Sequence, residues 1–391
     1  MQTSPRLVAL DHLRGFVVVL VVLHHAVLAY CHFGHTDRYH YVLSTAPVVD
    51  AQRWIGFDAL VMLNDGFFMP LLFLLSGLFV WRGLQNRGAW AYFGKRALRL
   101  GLPFVTAVLT VVPLAYYPSW LQAGGVPGFA RFWVEMVTTG PWPSGPPWFL
   151  GVLLGFDAIA ALAFAALRLR PPSVSVRALP ASPRPFGLLL LGLALAYLPL
   201  LFMFGPSRWI SLGPLAVQAS RIGLYGASFA AGVVLGATRL DGDAAALVRR
   251  WPTWALLTIV AGAVMVGTQA ARLRYGPTLV GWAWLGAYGL TLTVFCATAC
   301  IAMPAVFLRF AGRPSRLWDS LVASSFGIYL LHYPVVTWVQ FGLLHVPVGA
   351  FGKAGVTFAA ALLLSWALAA LPWHAVGAVP RAAVLQQRRG P

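Results

Sequence analysis

Ten long apolar runs constrain what this chain can fold into. Each run is about 17 to 25 residues long, is bounded by Pro, Gly or charged residues, and has room to cross a bilayer as a helix. Hydrophobic residues make up 59% of the 391 residues and charged residues only 10%, which excludes an ordinary soluble domain. We therefore expect an all-α polytopic membrane protein with about ten transmembrane helices. The predicted spans lie near residues 9–31, 60–81, 99–118, 148–167, 186–204, 219–238, 252–271, 281–303, 320–343 and 352–373.

The whole chain, 1–391, is predicted to be a single integral-membrane domain without a separate soluble domain. Its core is expected over residues 8–375, followed by a basic cytoplasmic tail at 376–391, and the Pro-rich segment 171–185 is expected to be a cytoplasmic linker. Asp11 and Arg14 interrupt the first run, and no small-residue cleavage site follows it. We therefore expect this run to be kept as a span and not removed as a signal peptide.

The positive residues are distributed unequally between alternate loops. Leaving Arg14 aside, 19 Lys and Arg residues fall in the terminal segments and one set of loops, and 8 fall in the other set. Because cytoplasmic loops are enriched in Lys and Arg, both termini are expected to face the cytoplasm. This topology accounts for the formal net charge of +18 without nucleic acid as a partner.

The first run carries ionisable side chains at both ends, where lipid tolerates them only if they are paired or functional. At about 100° per residue, Arg14 and His25 lie within roughly 20° of each other on one helix face and about 16 Å apart along the axis. His24 lies about 80° away from Arg14 around the helix axis. Asp11 is one turn before Arg14, where an i,i+3 ion pair can form. The alternative is that Asp11 and Arg14 only anchor the helix end as a snorkelling pair.

Three other features have both a chemical and a structural interpretation. Lys95, Arg96 and Arg99 form a basic cluster that can hold phosphate groups, or can only enforce topology and touch anionic lipid. Trp148 opens the fourth span and is by itself an ordinary interfacial anchor. His332 lies in the middle of the ninth span and needs a hydrogen-bond partner there, which can be a neighbouring helix or a ligand.

A metal site is not expected. His32, His35 and His40 lie in a polar loop near His24 and His25, but no clear second carboxylate ligand accompanies Asp37. The three cysteines lack the CxxC spacing of a zinc site, and no disulfide framework follows from them. Two of them, Cys296 and Cys300, lie one turn apart in a span and are expected to pack as small apolar residues.

Together these motifs resemble the membrane-bound acyltransferase 3 family, from Leu10 to about Pro334. The resemblance rests on Asp-x-x-Arg-Gly, Arg-x10-His, Phe-x-x-Ser-Gly, a basic cluster before the third span, Trp-Phe-Leu, and a late Ile-Tyr-Leu-x-His-x-Pro. In this sequence they begin at Asp11, Arg14, Phe73, Lys95, Trp148 and Ile328. The runs 25–30, 68–73, 101–103 and 147–150 most resemble the branch that succinylates periplasmic glucans.

The resemblance implies a multi-pass O-acyltransferase in the bacterial cytoplasmic (inner) membrane. It implies transfer of an acetyl or succinyl group from cytoplasmic acyl-CoA, the co-substrate, to a hydroxyl of an envelope or extracytoplasmic carbohydrate. Some relatives carry an extra periplasmic esterase-like domain, which the sequence up to Pro391 lacks, so transfer is expected to finish in the membrane domain or on a separate partner. Many relatives have two arginines where this chain has Lys95 and Arg96, and Lys cannot make a bidentate contact.

Within this hypothesis His25 is the general base or transiently carries the acyl group. Arg14 contacts the donor or supports His25, and Asp11 orients Arg14. The basic cluster of Lys95, Arg96 and Arg99 grips the CoA phosphates. The predicted substrate-binding residues are Trp148, His332 and His24.

Two other classes of function stay open at this point. A transporter or flippase for a lipid-linked sugar agrees with ten spans and intramembrane charges, but matched broken helices are missing. A non-catalytic component of an envelope complex leaves the shared face of Arg14 and His25 unexplained. Whether the chain forms a homo-oligomer is also open.

Overall fold

The computed structural model describes residues 5–37, 44–139, 142–143, 145–167, 184–238, 244–276 and 281–375. The predicted tail at 376–391 lies outside these residues, as does the predicted linker up to residue 183. The last two residues of that linker belong to a helix instead, since α9 begins at Arg184. His40 also lies outside the described residues.

The described residues form fifteen α-helices and one small hairpin. The helices are α1 Pro5–Leu28, α2 Ile55–Gly77, α3 Val80–Arg87, α4 Ala89–Arg96, α5 Leu102–Leu109, α6 Val111–Gln122, α7 Phe129–Thr138, α8 Trp148–Leu167, α9 Arg184–Phe204, α10 Arg221–Ala237, α11 Ala244–Arg249, α12 Trp251–Tyr275, α13 Gly281–Phe310, α14 Arg316–Leu343 and α15 Ala350–Ala375. A π-helical turn, Ala97–Gly101, joins α4 to α5. The antiparallel hairpin consists of β1 Trp209–Leu212 and β2 Leu215–Gln218.

The all-helical membrane architecture expected from the sequence is confirmed. In the described part of the chain, nine helical segments are long and apolar enough to cross a membrane, and the shorter α10, at Arg221–Ala237, brings the candidates to nine or ten. Several segments are longer than predicted, most of all the second and the third. The second extends over Ile55–Arg87, which includes α2 and α3, and the third over Ala89–Gln122, which includes α4 to α6, so the basic cluster lies inside a helical segment and not before it. The apolar periodicity missed these ends because Asp58, Lys95 and Arg96 interrupt it.

Helix α1 lies at the centre of the bundle and packs against α2, α13, α14 and α15. Its apolar residues Leu13, Val17 and Val22 are completely buried. Because a central helix has protein on several sides, polar side chains on α1 can reach partners from different helices without meeting lipid.

Glycines allow α2 and α10 to approach backbone to backbone. A Cβ atom at Gly232 would collide with the carbonyl oxygen of Leu74, and one at Gly236 with that of Leu78. A Cβ atom at Gly77 would collide with the carbonyl oxygen of Phe229. The Phe-x-x-Ser-Gly motif, which ends at Gly77, therefore has a packing role in this contact.

Two polar contacts, one near each end of α1, join segments that the charge pattern places on the same side of the membrane. At the N-terminal end of α1, the Nδ1 atom of His12 lies 2.8 Å from the Ala311 carbonyl oxygen. Beyond the C-terminal end of α1, Lys353 forms a buried 2.7 Å ion pair with Asp50. The fold therefore has two polar ends, which the charge pattern predicts to be cytoplasmic and extracytoplasmic, respectively.

Candidate functional site

The geometry around His25 assigns its tautomer. The Nδ1 atom of His25 lies 2.9 Å from the Val21 carbonyl oxygen, one turn earlier in α1. A carbonyl oxygen only accepts, so Nδ1 carries the hydrogen and donates it. The Nε2 atom therefore holds a lone pair, and the hydrogen bonds of the His25 ring to the described residues all involve Nδ1.

His332 of α14 faces the same Nδ1 atom of His25. The Nδ1 atom of His332 lies 2.8 Å from the Tyr329 carbonyl oxygen and 3.1 Å from that of Ile328, so this nitrogen is also the donor. The Nε2 atom of His332, left as an acceptor, lies 3.3 Å from Nδ1 of His25. His332 is completely buried whereas His25 is half-buried, so His332 is the more interior ring of the pair.

Other residues of α14 hold this end of α1 in place. The side-chain amide of Gln340 donates to the carbonyl oxygens of His25, at 3.0 Å, and Ala26, at 3.1 Å. The ring of Tyr333 packs edge-on against His25 with 4.9 Å between the centroids. The hydroxyl of Tyr329 donates to the Pro146 carbonyl oxygen, which connects α14 to the segment before α8.

His24 and Trp148 have other neighbours than His332 has. His24 points toward α2, where its Nε2 atom is 3.8 Å from the Asp65 carboxylate and its ring stacks on Phe68. Trp148, the first residue of α8, packs against Tyr225 of α10 with 5.4 Å between the ring centroids. Of the three predicted substrate-binding residues, His24 and His332 each adjoin the His25 ring, whereas Trp148 packs against Phe73 and Tyr225.

The Asp11–Arg14 ion pair expected from their spacing is present, at 3.1 Å. The Arg14 guanidinium also lies over the Phe79 ring, 4.8 Å from its centroid. Arg14 is therefore held by an acid of its own helix and by an aromatic ring between α2 and α3, and sequence spacing could predict only the first of these contacts.

The three residues of the basic cluster are not equivalent. Arg96 donates from Nε to the Asp157 carboxylate at 2.6 Å, and the hydroxyl of Tyr92 donates to the other oxygen of the same carboxylate at 2.5 Å. Asp157 is completely buried in α8. Lys95 and Arg99 are exposed, and Arg99 lies in the π-helical turn. Such turns occur often at functional sites.

The sequence analysis did not propose three ionisable residues that make polar contacts with the predicted site residues or with each other: Asp65, Asp157 and Arg221. Arg221 is only 5% exposed, and its guanidinium donates to the Asp65 carbonyl oxygen and to the Tyr288 hydroxyl. A signal was available, since Asp157 and Arg221 each lie inside a long apolar run. Among the described residues, no three His, Cys, Asp or Glu side chains are placed to hold a metal ion.

The bundle and its polar centre define a polytopic membrane protein with a half-buried histidine, His25, between its helices. A family model described as an acyltransferase domain, that of the acyltransferase 3 family, matches residues 7–370. The chain belongs to this family and is an acyltransferase. No curated protein and no solved structure matches the chain. The family resemblance seen in the motifs is therefore confirmed, and the transporter and assembly alternatives give way to an enzyme.

Proposed function

We propose that the protein moves an acetyl or succinyl group from cytoplasmic acyl-CoA to a hydroxyl of an envelope carbohydrate. Membership of a family that generally O-acylates carbohydrates supports the reaction type. The observation that carries the mechanism is the Nε2 lone pair of His25, which no described residue occupies, on a ring whose Nδ1 faces the Val21 carbonyl oxygen and His332. The likeness of four short runs to the glucan-succinylating branch makes succinyl-CoA and a periplasmic glucan the first substrates to test.

In the proposed step, Nε2 of His25 accepts the proton of the acceptor hydroxyl. The hydroxyl oxygen attacks the thioester carbonyl, the carbon–sulfur bond breaks, and the proton passes from His25 to the leaving CoA thiolate. The positive charge that develops on the imidazole faces the Val21 carbonyl oxygen and the Nε2 lone pair of His332. His332 is thus a positioning residue and not a direct substrate contact.

The basic side chains near the other end of α1 are proposed to bind the donor. Arg14 and Arg99 would hold the CoA phosphates together with Lys95, since clustered guanidinium and ammonium groups bind phosphate well. Arg96 contributes charge while its Nε hydrogen stays on Asp157, and Asp11 fixes the orientation of Arg14. The acyl-bearing arm then has to span the distance of about 16 Å along α1 between Arg14 and His25.

The acceptor is proposed to approach from the extracytoplasmic end. Trp148 would contact the sugar with the part of its ring that Tyr225 leaves uncovered, and His24, beside Asp65, would help orient it. The enzyme would lie in the bacterial cytoplasmic membrane with its more basic loops inside.

The test is mass spectrometry of envelope glycans from cells with the wild-type gene, a deletion, His25→Ala and His345→Ala. His345 is an exposed histidine outside the site and serves as the matched control. We expect one acyl modification that the deletion and His25→Ala both remove and His345→Ala retains. If His25→Ala, present at wild-type level, leaves the glycans modified, the assignment of His25 is wrong.

The same variants separate a base from an acyl carrier. If His25 carries the acyl group, acid-quenched wild-type protein incubated with donor alone will show an acyl mass on the peptide that contains His25. If His25 is only a base, this peptide will stay unmodified while acyl transfer to acceptor proceeds.

A further inference from the structure

Asp65 is an accessible carboxylate in the middle of α2, with a side chain that is 41% exposed. Two turns earlier in α2, the carboxylate of Asp58 accepts hydrogen bonds from the backbone of His32 and Phe33, which lie beyond the end of α1. Two turns of helix place Asp65 about 10 Å deeper along α2 than this outer contact. A carboxylate exposed at that depth faces water or a polar ligand, since lipid does not solvate a charge.

The exposed side of Asp65 does not belong to a lipid-facing stripe of α2. Such a stripe would include the residues one turn away, because one helix face repeats at i±3 and i±4. At these positions Val61, Phe68 and Met69 are buried, and Met62 is half-buried and packs against the core. Asp65 is therefore exposed to a local crevice between helices.

Helices α1 and α10 border this crevice. The Nε2 atom of His24 on α1 lies 3.8 Å from the Asp65 carboxylate, and the guanidinium of Arg221 on α10 donates to the Asp65 carbonyl oxygen. Tyr225 follows Arg221 by one turn, so the two lie on the same face of α10. Trp148 packs against Tyr225. Asp65 and Trp148 thus both contact residues on one face of α10.

The carboxylate of Asp65 is available to a ligand. No described residue donates a hydrogen bond to its oxygens, since His24 at 3.8 Å is beyond hydrogen-bond distance and Arg221 contacts the backbone oxygen. The ring of His24 lies 5.3 Å from the ring of His25, centroid to centroid. A group bound to Asp65 is therefore close to the proposed base.

An ionised carboxylate accepts hydrogen bonds and donates none, so it selects a ligand with donors and repels phosphate and free carboxylate groups. The hydroxyls of a sugar are such donors, and an indole ring such as that of Trp148 offers an apolar surface to the sugar ring. The crevice therefore suits the acceptor better than the donor.

We propose that Asp65 binds the carbohydrate acceptor by accepting hydrogen bonds from the hydroxyls beside the one that is acylated. This inference rests on the proposed function, because it assumes that the acceptor is a carbohydrate. It adds to His24 and Trp148 a residue that determines which hydroxyl faces His25.

The kinetic test uses the purified full-length protein in lipid nanodiscs, with acetyl-CoA and succinyl-CoA as donors and unmodified glucan from the deletion strain as acceptor. Glucan-dependent release of free thiol is measured for wild type, Asp65→Asn and Glu135→Gln. The last is a matched carboxylate-to-amide change at an exposed site on α7.

We expect Asp65→Asn to raise the glucan KM about 10- to 100-fold, because hydrogen bonds to a charged group are lost. The donor KM should stay within about twofold of wild type, since the donor does not contact Asp65. Glu135→Gln should keep both wild-type values.

A second measurement tests the crevice without catalysis. Spheroplasts that contain Asp65→Cys are treated from outside with a membrane-impermeant thiol reagent. The native cysteines Cys31, Cys296 and Cys300 are buried, so the wild-type protein should stay unlabelled. We expect Asp65→Cys to be labelled and saturating glucan to protect it. Val61→Cys, one turn away and buried, should stay unlabelled.

An unchanged glucan KM in Asp65→Asn would overturn the inference. Equal increases of the glucan and donor KM values would overturn it too, because they indicate a structural role. The same holds if Asp65→Cys is not labelled from outside, or if glucan does not slow its labelling. If no variant releases thiol from either donor, the proposed acyl-CoA chemistry fails, and protection of Asp65→Cys by glucan then decides the inference on its own.

Discussion

The imidazole rings of His25 and His332 meet with 3.3 Å between the Nδ1 atom of one and the Nε2 atom of the other, although 307 positions separate them in the chain. Each ring donates through Nδ1 to a backbone carbonyl of its own helix. The single Nδ1 hydrogen of His25 is therefore shared between the Val21 carbonyl oxygen and Nε2 of His332, and in the proposed mechanism the Nε2 atom of His25 is left for substrate.

Replacement of His332 should impair turnover more than donor binding. We expect His332→Ala to lower kcat about 10- to 100-fold, as loss of an orienting partner does for other functional histidines, with donor KM within about twofold of wild type. His332→Gln should recover part of the loss, because the Gln side-chain oxygen can accept the hydrogen from Nδ1 of His25. Initial rates of thiol release measure both parameters.

A merely structural role for His332 predicts a different pattern. In that case Ala and Gln would lower the thermal unfolding temperature equally and would reduce kcat to the same extent. Equal kcat values for the two variants, at equal amounts of folded protein, would contradict the positioning role.

Loss of Arg99 should weaken donor binding through the phosphates. Because a hydrogen bond to a charged group contributes about 1.5–3 kcal/mol, Arg99→Gln should raise the donor KM about 10- to 100-fold. The effect should disappear with an acylated pantetheine that lacks phosphate. Arg249→Gln, which removes an exposed positive charge on α11 outside the cluster, provides the control. A similar KM increase with Arg249→Gln would mean that overall charge, and not the cluster, attracts the donor.

Interactions within one helix could be predicted from the sequence, whereas interactions between helices could not. Spacing alone predicted that Asp11 would pair with Arg14 and that His24 and His25 would face different directions, since helical geometry fixes both. The partners of His25 and Arg96 come from α14 and α8, and no local pattern encodes which helices become neighbours. The helix ends were misjudged where charged residues interrupt an apolar run, as at Asp58.

Chemical roles were also harder to assign than positions. The mid-span location of His332 allowed a ligand contact or a structural bond, and only its complete burial and two backbone acceptors favour the second. The sequence gives no reason to distinguish Lys95, Arg96 and Arg99. In the structure, Arg96 forms an ion pair with the buried carboxylate of Asp157, whereas Lys95 and Arg99 are exposed.

A methyl group at Gly232 should separate α2 from α10. Its Cβ would collide with backbone atoms at Leu74, and backbone cannot move aside as a flexible side chain can. Gly232→Ala should therefore destabilise the fold by about 1–3 kcal/mol, seen as a lower unfolding temperature in detergent. Gly192→Ala on α9 is the matched control, because nothing lies within 4 Å of its new Cβ. There the change should be neutral or stabilising by up to about 1 kcal/mol. Equal effects at the two positions would show that the α2–α10 contact tolerates a wider spacing.

The ion pair between Arg96 and Asp157 should show strong coupling in a double-mutant cycle. Asp157 is completely buried, and Arg96 is 22% exposed, so the two single changes leave different residues unpaired. Arg96→Leu leaves a buried carboxylate with Tyr92 as its remaining partner and should cost about 3–5 kcal/mol. Asp157→Leu should cost less, because the freed guanidinium can turn toward solvent. The double variant should be more stable than Arg96→Leu alone, since it buries no unpaired charge. Denaturant unfolding in detergent gives the four free energies, and additive single effects would mean that the pair contributes no coupling to the fold.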